Sequence, residues 1–294
     1  MNKVPVGKTI VEAYGFTFGH LGTIIGLTWL PLVAMAVLQF LPFALGHDSS
    51  AFPENATAQG QRALEGLATS LAVLLLQAMI YTVVTRQALG LRQGTAIVHF
   101  ALGAPEMRVF GAMLLLILVI GVMALGLVLL ASAGVAVGVW VGKGSPAAIA
   151  ISLALVAVLC AFFYAVVRLG FLLVPVTVAE NHISLIRGWI LTKGNFWRIF
   201  AIMLAVIVPV AILQFSIMAG LIGPDQLFAP LPKNPQDAAK AFDGRILALQ
   251  KHMPLWIGLN LIIAPFMFGF HAGAVASAYR SLVPSGGAAA VQTT

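Results

Sequence analysis

Long apolar runs separated by short polar segments dominate the hydrophobic pattern of this chain. Six runs contain no Asp, Glu, Lys or Arg: Leu21–Gly46, Gly66–Thr85, Val109–Gly142, Ser145–Val167, Ile199–Pro224 and Met253–Tyr279. A helix needs about 20 apolar residues to cross the hydrocarbon core of a bilayer, and all six runs meet that length. The strands of a membrane barrel would instead alternate apolar and polar positions over about 10 residues. The pattern therefore predicts an all-α integral membrane protein with six transmembrane helices.

Short segments of mixed polarity precede the first, third and fifth spans. Residues 6–18 place apolar side chains every three or four positions and stop at Gly19, and residues 95–102 form a weaker apolar helix. Residues 185–193 place apolar side chains on one face and two cations off it, and Gly194 follows as a glycine does after a helix end. These patterns are typical of helices that lie in the membrane interface. We therefore predict three hairpins, each preceded by a cytoplasmic interfacial amphipathic helix.

The same order of elements occurs three times along the chain. Arg108–Leu114 aligns with Arg198–Leu204, and Tyr81–Val84 resembles Tyr164–Val167. Each unit contains an interfacial helix, a glycine, a span outward and a span back that ends with tyrosine and arginine. We predict one membrane domain of three pseudo-repeats that share one orientation, followed by a disordered tail. The pseudo-repeats are 6–90, 91–180 and 181–283, and the tail is 284–294.

The distribution of charge predicts the orientation of the chain and the kind of partner that it meets. Charged residues make up 9% of the chain, and the formal net charge is +7. With six crossings and a cytoplasmic amino terminus, ten of the sixteen Lys and Arg residues and three of the nine acids lie inside. This asymmetry follows the positive-inside rule and places both termini in the cytoplasm. The inner surface is expected to attract anionic lipid headgroups of the inner leaflet. No nucleic-acid partner is expected, because no base-reading module occurs.

Several kinds of chemistry are missing from the sequence. Cys160 is the only cysteine, which excludes an intrachain disulfide and a cysteine-based metal site. The chain has no Gly-x-Ser-x-Gly motif, phosphate loop or dinucleotide fingerprint, and its histidines lack ligand spacing such as His-x-x-x-His. The apolar run that begins at Leu21 is too long for the core of a cleaved signal peptide. We therefore expect a non-catalytic protein with no catalytic residue, no cofactor and no bound metal.

The segment 164–204 contains the first group of candidate site residues. This candidate lipid-headgroup cluster consists of Arg168, Glu180, Arg187, Trp189, Lys193, Trp197 and Arg198. Arg168 is interpreted either as an anchor for a headgroup or substrate, or as an arginine that snorkels to phosphates. Glu180 is expected to pair with one of the three following cations, and the alternative is a proton-coupled carboxylate. The cations and tryptophans are either a specific anionic-lipid site or general interfacial anchors.

Polar residues within the apolar spans form the second group of candidates. Gln214 of the fifth span and Asn260 and His271 of the sixth are the candidate polar pathway, and Gln39 and Gln77 are further polar positions. Such groups either line a pathway or hydrogen-bond between helices, which contributes about 0.6 kcal/mol on average. One water-accessible cavity lined by the three pathway residues would favour transport. Dry helix contacts at these positions would count against it.

The segment 160–205 also resembles a known family. The resemblance is carried by Arg168, Pro175, Glu180, Arg187, Trp189, Leu191-Thr-Lys-Gly194 and Trp197-Arg198. This run is similar to the signature of bacterial six-helix inner-membrane proteins related to the membrane domain of glycerophosphoryl diester phosphodiesterase. The resemblance implies the six-helix topology and a location in the bacterial cytoplasmic (inner) membrane. It implies no hydrolase activity, because the sequence has no counterpart of the phosphodiesterase domain that some members carry.

Two functional hypotheses follow from the sequence. The first is a non-catalytic multi-pass inner-membrane protein that organises lipid or a membrane-protein partner at the cytoplasmic leaflet. The alternative is a transporter or lipid translocase that uses kinked fifth and sixth helices, with Pro209 and Pro265 as the kinks. The alternative lacks a mid-span acid that would couple transport to an ion.

Overall fold

The chain is helical wherever it has regular structure in the part that the structure describes. The structure is a computed structural model that describes residues 2–44, 56–92, 100–142, 145–230, 232, 234, 237–238, 241, 244–245 and 251–283. The helices are α1 (Val6–Gly19), α2 (Leu21–Ala44), α3 (Ala56–Leu89), α4 (Ala104–Val141), α5 (Pro146–Gly170), α6 (Leu173–Glu180), α7 (Leu185–Leu191), α8 (Phe196–Ile222), α9 (Pro224–Leu227) and α10 (Met253–Leu282). The predicted tail, 284–294, lies outside the described residues.

Six of the helices are long and apolar enough to cross a membrane. They are α2, α3, α4, α5, α8 and α10, and the mean hydropathy of their most apolar windows ranges from 1.7 in α10 to 3.2 in α4. Large apolar side chains are exposed along the spans, and Val122 in α4 is 71% exposed. Lipid is the solvent in which such a surface is stable. The prediction of a six-helix multi-pass membrane protein is confirmed, whereas the three-hairpin arrangement stays a prediction.

The apolar stretch that begins with the fourth span continues toward Glu180 as a second, separate helix. The helix is interrupted at Phe171 and Leu172, and α6 begins at Leu173. Pro175 has no N–H and therefore cannot donate to the carbonyl of Phe171, four residues earlier. It lies instead in the first turn of α6, where helical N–H groups have no intrahelical partner. Six of the eight residues of α6 are buried, and the helix packs against α3, α4, α5, α7 and α10.

The last helix, α10, is the centre of the packing. It contacts α1, α2, α3, α6 and α8, and its residues 272–279 are all buried. Gly269 and Gly273 allow α1 to approach closely. A Cβ at Gly273 would lie 2.9 Å from the Cα of Ala13, and one at Gly269 would lie 2.7 Å from the Cγ2 of Thr17. This is the small-residue spacing that lets membrane helices pack backbone to backbone.

The first helix, α1, was predicted to lie in the membrane interface, and its apolar face packs against protein. Val6, Ile10 and Tyr14 contact the hydrophobic core that α8 and α10 share. The side chain of Val11 is 71% exposed, whereas that of Phe18 is 60% exposed and its ring still lies 5.7 Å from that of Phe270, centroid to centroid. The buried residues of α1 are Thr9, Ala13 and Thr17, so one face of α1 meets protein. The location of α1 in the membrane interface stays a prediction.

The predicted helix 95–102 does not extend as far as the sequence pattern suggested. Residues 93–99 lie outside the described residues, and residues 100–103 are not helical. The helix that follows, α4, begins at Ala104 because Glu106 accepts a hydrogen bond from the backbone N–H of Gly103 at 3.0 Å. This is one half of a capping box, since Gly103 has no side chain to accept a bond from the helix in return. The apolar side chains of Phe100 and Leu102 therefore belong to a connection.

The sequence after the fifth span predicts a helix on the outer membrane surface with Asn234 as its N-cap, and this segment lies largely outside the described residues. Its described positions are consistent with a helix start at Asn234, because the N–H of Ala238 donates to the carbonyl of Asn234 at 2.9 Å. The side-chain amide of Asn234 also donates to Asp237 at 3.1 Å. The placement of this segment on the membrane surface stays a prediction, as do the three pseudo-repeats.

Candidate functional site

Arg168 joins the end of α5 to the end of α7. Its Nε donates to the hydroxyl of Thr192 at 3.2 Å, its Nη1 donates to the hydroxyl of Tyr164 at 2.9 Å, and its Nη2 donates to the carbonyl of Trp189. The guanidinium carbon also lies 3.9 Å from the centroid of the Trp189 ring, which is a cation–π contact. Arg168 is only 4% exposed. Its donors therefore face protein groups, and neither a snorkelling arginine nor a headgroup anchor would be this buried.

Glu180 joins the end of α6 to α7 and α10. Its Oε1 accepts from the Nε of Arg187 at 3.1 Å and from the hydroxyl of Tyr279 at 3.2 Å. The ring of His182 lies 3.8 Å from the other oxygen. Arg187 was one of the three cations predicted to pair with Glu180. The contact with Tyr279 was not predicted, because 99 positions separate the two residues in sequence.

The amino-terminal arm, residues 2–5, is bound at the start of α8. The side-chain oxygen of Asn195 accepts from the N–H of Val4 at 3.0 Å, and its amide donates to the carbonyl of Asn2 at 3.1 Å. Arg198, a predicted headgroup residue, donates to the carbonyl of Val4 at 3.0 Å. Asn195 is 2% exposed and Val4 is fully buried. Arg198 therefore orders the arm, a role that no short-range pattern in the sequence indicated.

The remaining members of the predicted cluster lie on an exposed surface, which we call the interfacial face. It consists of the two predicted residues Lys193 and Trp197 together with the neighbouring Ile186 and Ile190. Ile186, Ile190 and Trp197 are 73%, 53% and 75% exposed, and Lys193 is exposed beside them. The seven predicted residues thus divide into two groups: residues that hydrogen-bond or pack within the protein, of which only Arg168 is buried, and an apolar surface with a cation. Only the second has the character of a membrane interface.

The candidate polar pathway lines a cavity of about 540 Å³. Its walls come from residues 32–39 of α2, Gln77 and Tyr81 of α3, residues 206–214 of α8 and residues 256–271 of α10. Gln214, Asn260 and His271 all lie in these walls, together with Gln39 and Gln77. The structure therefore brings the polar residues of four spans into one space of the size that ligand-binding pockets have.

Direct contacts join the polar groups into two sites along the cavity. The amide of Gln214 donates to the side-chain oxygen of Asn260 at 3.3 Å, and Asn260 donates to the carbonyl of Trp256 at 2.9 Å. The ring of His271 lies edge-on to that of Tyr81, with 5.3 Å between centroids. We call these the amide site and the histidine site. Tyr81 had been noted only as a residue at a span end.

The cavity extends through much of the membrane thickness. Trp256 and His271 are fifteen positions apart on α10, which corresponds to about 22 Å at 1.5 Å per residue. The hydrocarbon core is about 30 Å thick. Beyond His271, the buried residues of α10 pack against residues such as Val176 of α6 and Ile202 of α8. The cavity therefore ends where α6 fills the bundle.

Each of the two helices that form the long walls of the cavity contains a proline, which removes one backbone hydrogen bond from the helix. Pro209 of α8 cannot donate to the carbonyl of Ala205, and Pro265 of α10 cannot donate to that of Leu261. The hydroxyl of Tyr14 in α1 donates to the freed carbonyl of Ala205 at 3.0 Å. Neighbouring side chains commonly satisfy such carbonyls in membrane helices. The two prolines thus lie next to residues that line the cavity, and α1 satisfies the carbonyl that one of them frees. The kinks themselves stay a prediction.

The described cavity walls contain no ionisable carboxylate, lysine or arginine. More widely, no group of three or more His, Cys, Asp or Glu residues in the described part of the chain is placed to hold a metal ion. The polar chemistry of the cavity is therefore that of amides, aromatic side chains and one imidazole. Such groups recognise a ligand by hydrogen bonding and shape.

Comparison with known proteins identifies no relative. No protein-family model matches the sequence, and neither a curated protein nor a solved structure matches it. The resemblance to the membrane domain of glycerophosphoryl diester phosphodiesterase stays a prediction.

Proposed function

We propose that this protein is a membrane transporter that binds a small molecule in the cavity between α2, α3, α8 and α10. The observation that carries the proposal is the convergence of Gln214, Asn260 and His271 in one cavity of about 540 Å³. Polar groups are unfavourable in the hydrocarbon region unless they are paired or face a cavity. A cluster of them around a space of ligand size therefore favours binding within the membrane.

The proposed transport cycle uses the two proline-containing helices and α6. Helices bend most readily where a proline interrupts the backbone hydrogen bonds, and Pro209 and Pro265 both lie beside the cavity. Helix α6 closes one end of the cavity, and the hydrogen bond from Tyr279 to Glu180 joins it to α10. Opening of that end requires α6 and α7 to separate from α10. Access would then alternate between the two ends of one site, as in other transporters.

Cysteine labelling tests this proposal directly. In a Cys160→Ala background, Asn260→Cys and His271→Cys should react with a membrane-impermeant maleimide. Ile262→Cys is the matched control, because Ile262 is 66% exposed on the outside of the same helix. A transporter should let His271→Cys react in both right-side-out and inverted vesicles. Protection of both cavity cysteines from both sides would overturn the proposal, and reaction from one side only would leave a binding protein that does not transport.

A second candidate function is the organisation of inner-leaflet lipid or of a membrane partner. The exposed interfacial face favours it, since three large exposed apolar side chains and the exposed Lys193 occur there within twelve residues. Native mass spectrometry in mild detergent would test it. A lipid that is lost in Lys193→Gln and Trp197→Ala, and retained in the Ile262→Ser control, would support a headgroup site. A stoichiometric protein that stays bound in every variant would instead identify a subunit of a complex.

We also propose that the chain lies in a bacterial cytoplasmic membrane with both termini inside. The excess of Lys and Arg on one side supports this orientation. A cysteine at Ala229, which is exposed after α9, should be labelled by the maleimide in intact cells when Cys160 is replaced. Labelling only after permeabilisation would reverse the orientation.

A further inference from the structure

We infer that the cavity takes an uncharged molecule that combines an apolar body with one hydrogen-bonding group. The inference rests on the proposed function, because it treats the cavity as the binding site. It deepens that function by naming the chemical class of the ligand. Three features of the walls carry it: the absence of charged side chains among the described lining residues, the apolar surface, and the amide site.

The absence of charged side chains among the described lining residues makes the cavity unfavourable for ions. None of the described lining residues is an Asp, Glu, Lys or Arg. A carboxylate, phosphate or ammonium group that entered the cavity would lose its hydration without gaining an opposite charge, which is strongly unfavourable. A phospholipid would bring its phosphate into this same environment. The cavity chemistry therefore disfavours the lipid translocase that the sequence allowed.

The second feature provides the contact for an apolar body. Between the amide site and the histidine site, α10 presents Leu261, Ala264 and Met267 to the cavity, and Val206 and Val210 of α8 line it as well. Asn260 and His271 are eleven positions apart on α10, which places them on the same helix face about 16 Å apart. A ligand held at the amide site would therefore lay its body along an apolar wall.

The third feature selects the polar group. A side-chain amide offers two donor hydrogens and an acceptor oxygen, so it binds a ligand amide, carbonyl or hydroxyl equally well. In the Gln214–Asn260 contact, Gln214 uses one donor and Asn260 uses its oxygen. The Nε2 of Gln214 also donates to the sulfur of Met267 at 3.5 Å, and Asn260 donates to the carbonyl of Trp256. The side-chain oxygen of Gln214 and the second N–H of Asn260 are the groups that these contacts leave for a ligand. Gln39 and Gln77 add two further amides to the same walls.

The experiment compares three probes of one length that differ in charge: decanamide, decanoate and decylammonium. Trp256 lines the cavity beside Asn260, so its fluorescence reports binding, and subtraction of the Trp256→Phe signal removes partitioning into detergent. Decanamide should give a saturable signal at neutral pH. Decanoate and decylammonium should bind at least about tenfold more weakly, because each would bury an unpaired charge. All three probes are compared on the unmodified protein, and Trp256→Phe serves only to measure the background signal.

Two variants assign the probe to the amide site. Gln214→Leu and Asn260→Leu should each weaken decanamide binding about tenfold, a difference of about 1.4 kcal/mol. Ser216→Leu is the matched control, because Ser216 is exposed on α8 and its hydroxyl donates to the carbonyl of Ile212. Ser216→Leu should leave binding unchanged. Equal weakening by all three variants would show that the amide site does not hold the polar group.

The outcomes separate this inference from the proposed function. Tighter binding of decanoate or decylammonium, or no binding of decanamide, would overturn the ligand class. If His271→Cys still reacted with maleimide from both sides in that case, the proposed function would survive with a different ligand. Cavity cysteines that react from neither side would overturn the proposed function itself, whatever the probes showed.

Discussion

The two halves of α10 differ in how they are packed. Residues 272–282 form the closed half, where small side chains and glycine bring α1, α6 and α10 together without a cavity. Residues 253–271 form the open half, where one side of α10 lines the cavity with residues such as Asn260, Ala264 and His271, although Gly269 still packs against α1. The difference indicates that one half of the helix holds the bundle together and the other binds a ligand. Substitutions in the closed half should therefore lower stability, and those in the open half should change binding.

Gly273→Leu should have the largest effect on stability. Even a Cβ at this position would lie 2.9 Å from the Cα of Ala13, so the side chain would force α1 away from α10. We expect a loss of about 3 kcal/mol in the free energy of unfolding, the upper end of what overpacking usually costs. Thermal unfolding in detergent would measure it. Gly121→Leu is the control, since a Cβ there meets nothing within 4 Å; an equal loss in both would contradict the proposed contact.

Arg168→Leu should have the next largest effect. It removes three donors and leaves the carbonyl of Trp189 and the hydroxyl of Thr192 without a charged partner. We expect a loss of about 2–3 kcal/mol, the range for hydrogen bonds to a charged group in a buried site. Arg168→Lys should not restore stability, because a lysine cannot make the same forked and stacked contacts. If Arg168→Lys were as stable as the original protein, the positive charge alone would account for the contribution of Arg168 to stability.

Glu180→Gln should shift the access to the cavity and change stability only a little. The variant weakens the links from α6 to Arg187 and Tyr279, and the partly exposed ion pair contributes about 1 kcal/mol or less. In the proposed cycle, that loss favours opening of the closed end. Labelling of His271→Cys from the cytoplasmic side should increase. Glu12→Gln, which removes surface contacts to Lys8 and Arg280, serves as the control.

Tyr14→Phe should destabilise the protein by about 1 kcal/mol, the usual net value of one hydrogen bond. The variant leaves the carbonyl of Ala205 without the hydroxyl that compensates for Pro209. In a Pro209→Ala background the restored N–H of residue 209 can bond to Ala205, so the effect of Tyr14→Phe should largely disappear. A double-mutant cycle measures this coupling. Additive effects would mean that the hydroxyl acts independently of the proline.

Asn260→Leu should have the smallest effect on stability and a large one on binding. It replaces a hydrogen bond between helices, which in membranes contributes about 0.6 kcal/mol on average. Decanamide binding should nevertheless weaken, because the amide site loses one of its two side-chain amides. A large loss of stability without a change in binding would place Asn260 with the structural residues of the closed half.

Much of the local architecture could be predicted from the sequence. The number of spans, the helical segment before the fifth span and the positive backbone angle of Gly194 follow from patterns within about twenty residues. Glu180 was predicted to pair with Arg187, Lys193 or Arg198, which all follow it closely in the sequence, and in the structure its partner is Arg187. The contact of Glu180 with Tyr279 could not be predicted, because the two residues are 99 positions apart.

The sequence indicated which polar residues could form the candidate pathway, but it did not indicate how they are arranged in space. Gln214, Asn260 and His271 stood out because polar groups are rare in apolar spans, and the packing of four helices decided that they share a cavity. The sequence left Arg168 as either an anchor for a headgroup or substrate or an arginine that snorkels to phosphates. The fold brings Trp189 and Thr192 to it, after the helix is interrupted between α5 and α6.

By itself the sequence determined that this is a six-helix membrane protein, because a span requires only a long enough apolar run and no partner. Only the tertiary structure decided which apolar faces meet protein, as the face of α1 does, and which meet lipid. Lipid tails and a protein interior are equally apolar, so the same residues suit both environments. Helix rotation and crossing, set by close contacts such as that between Gly273 and Ala13, therefore distinguished the closed half from the cavity.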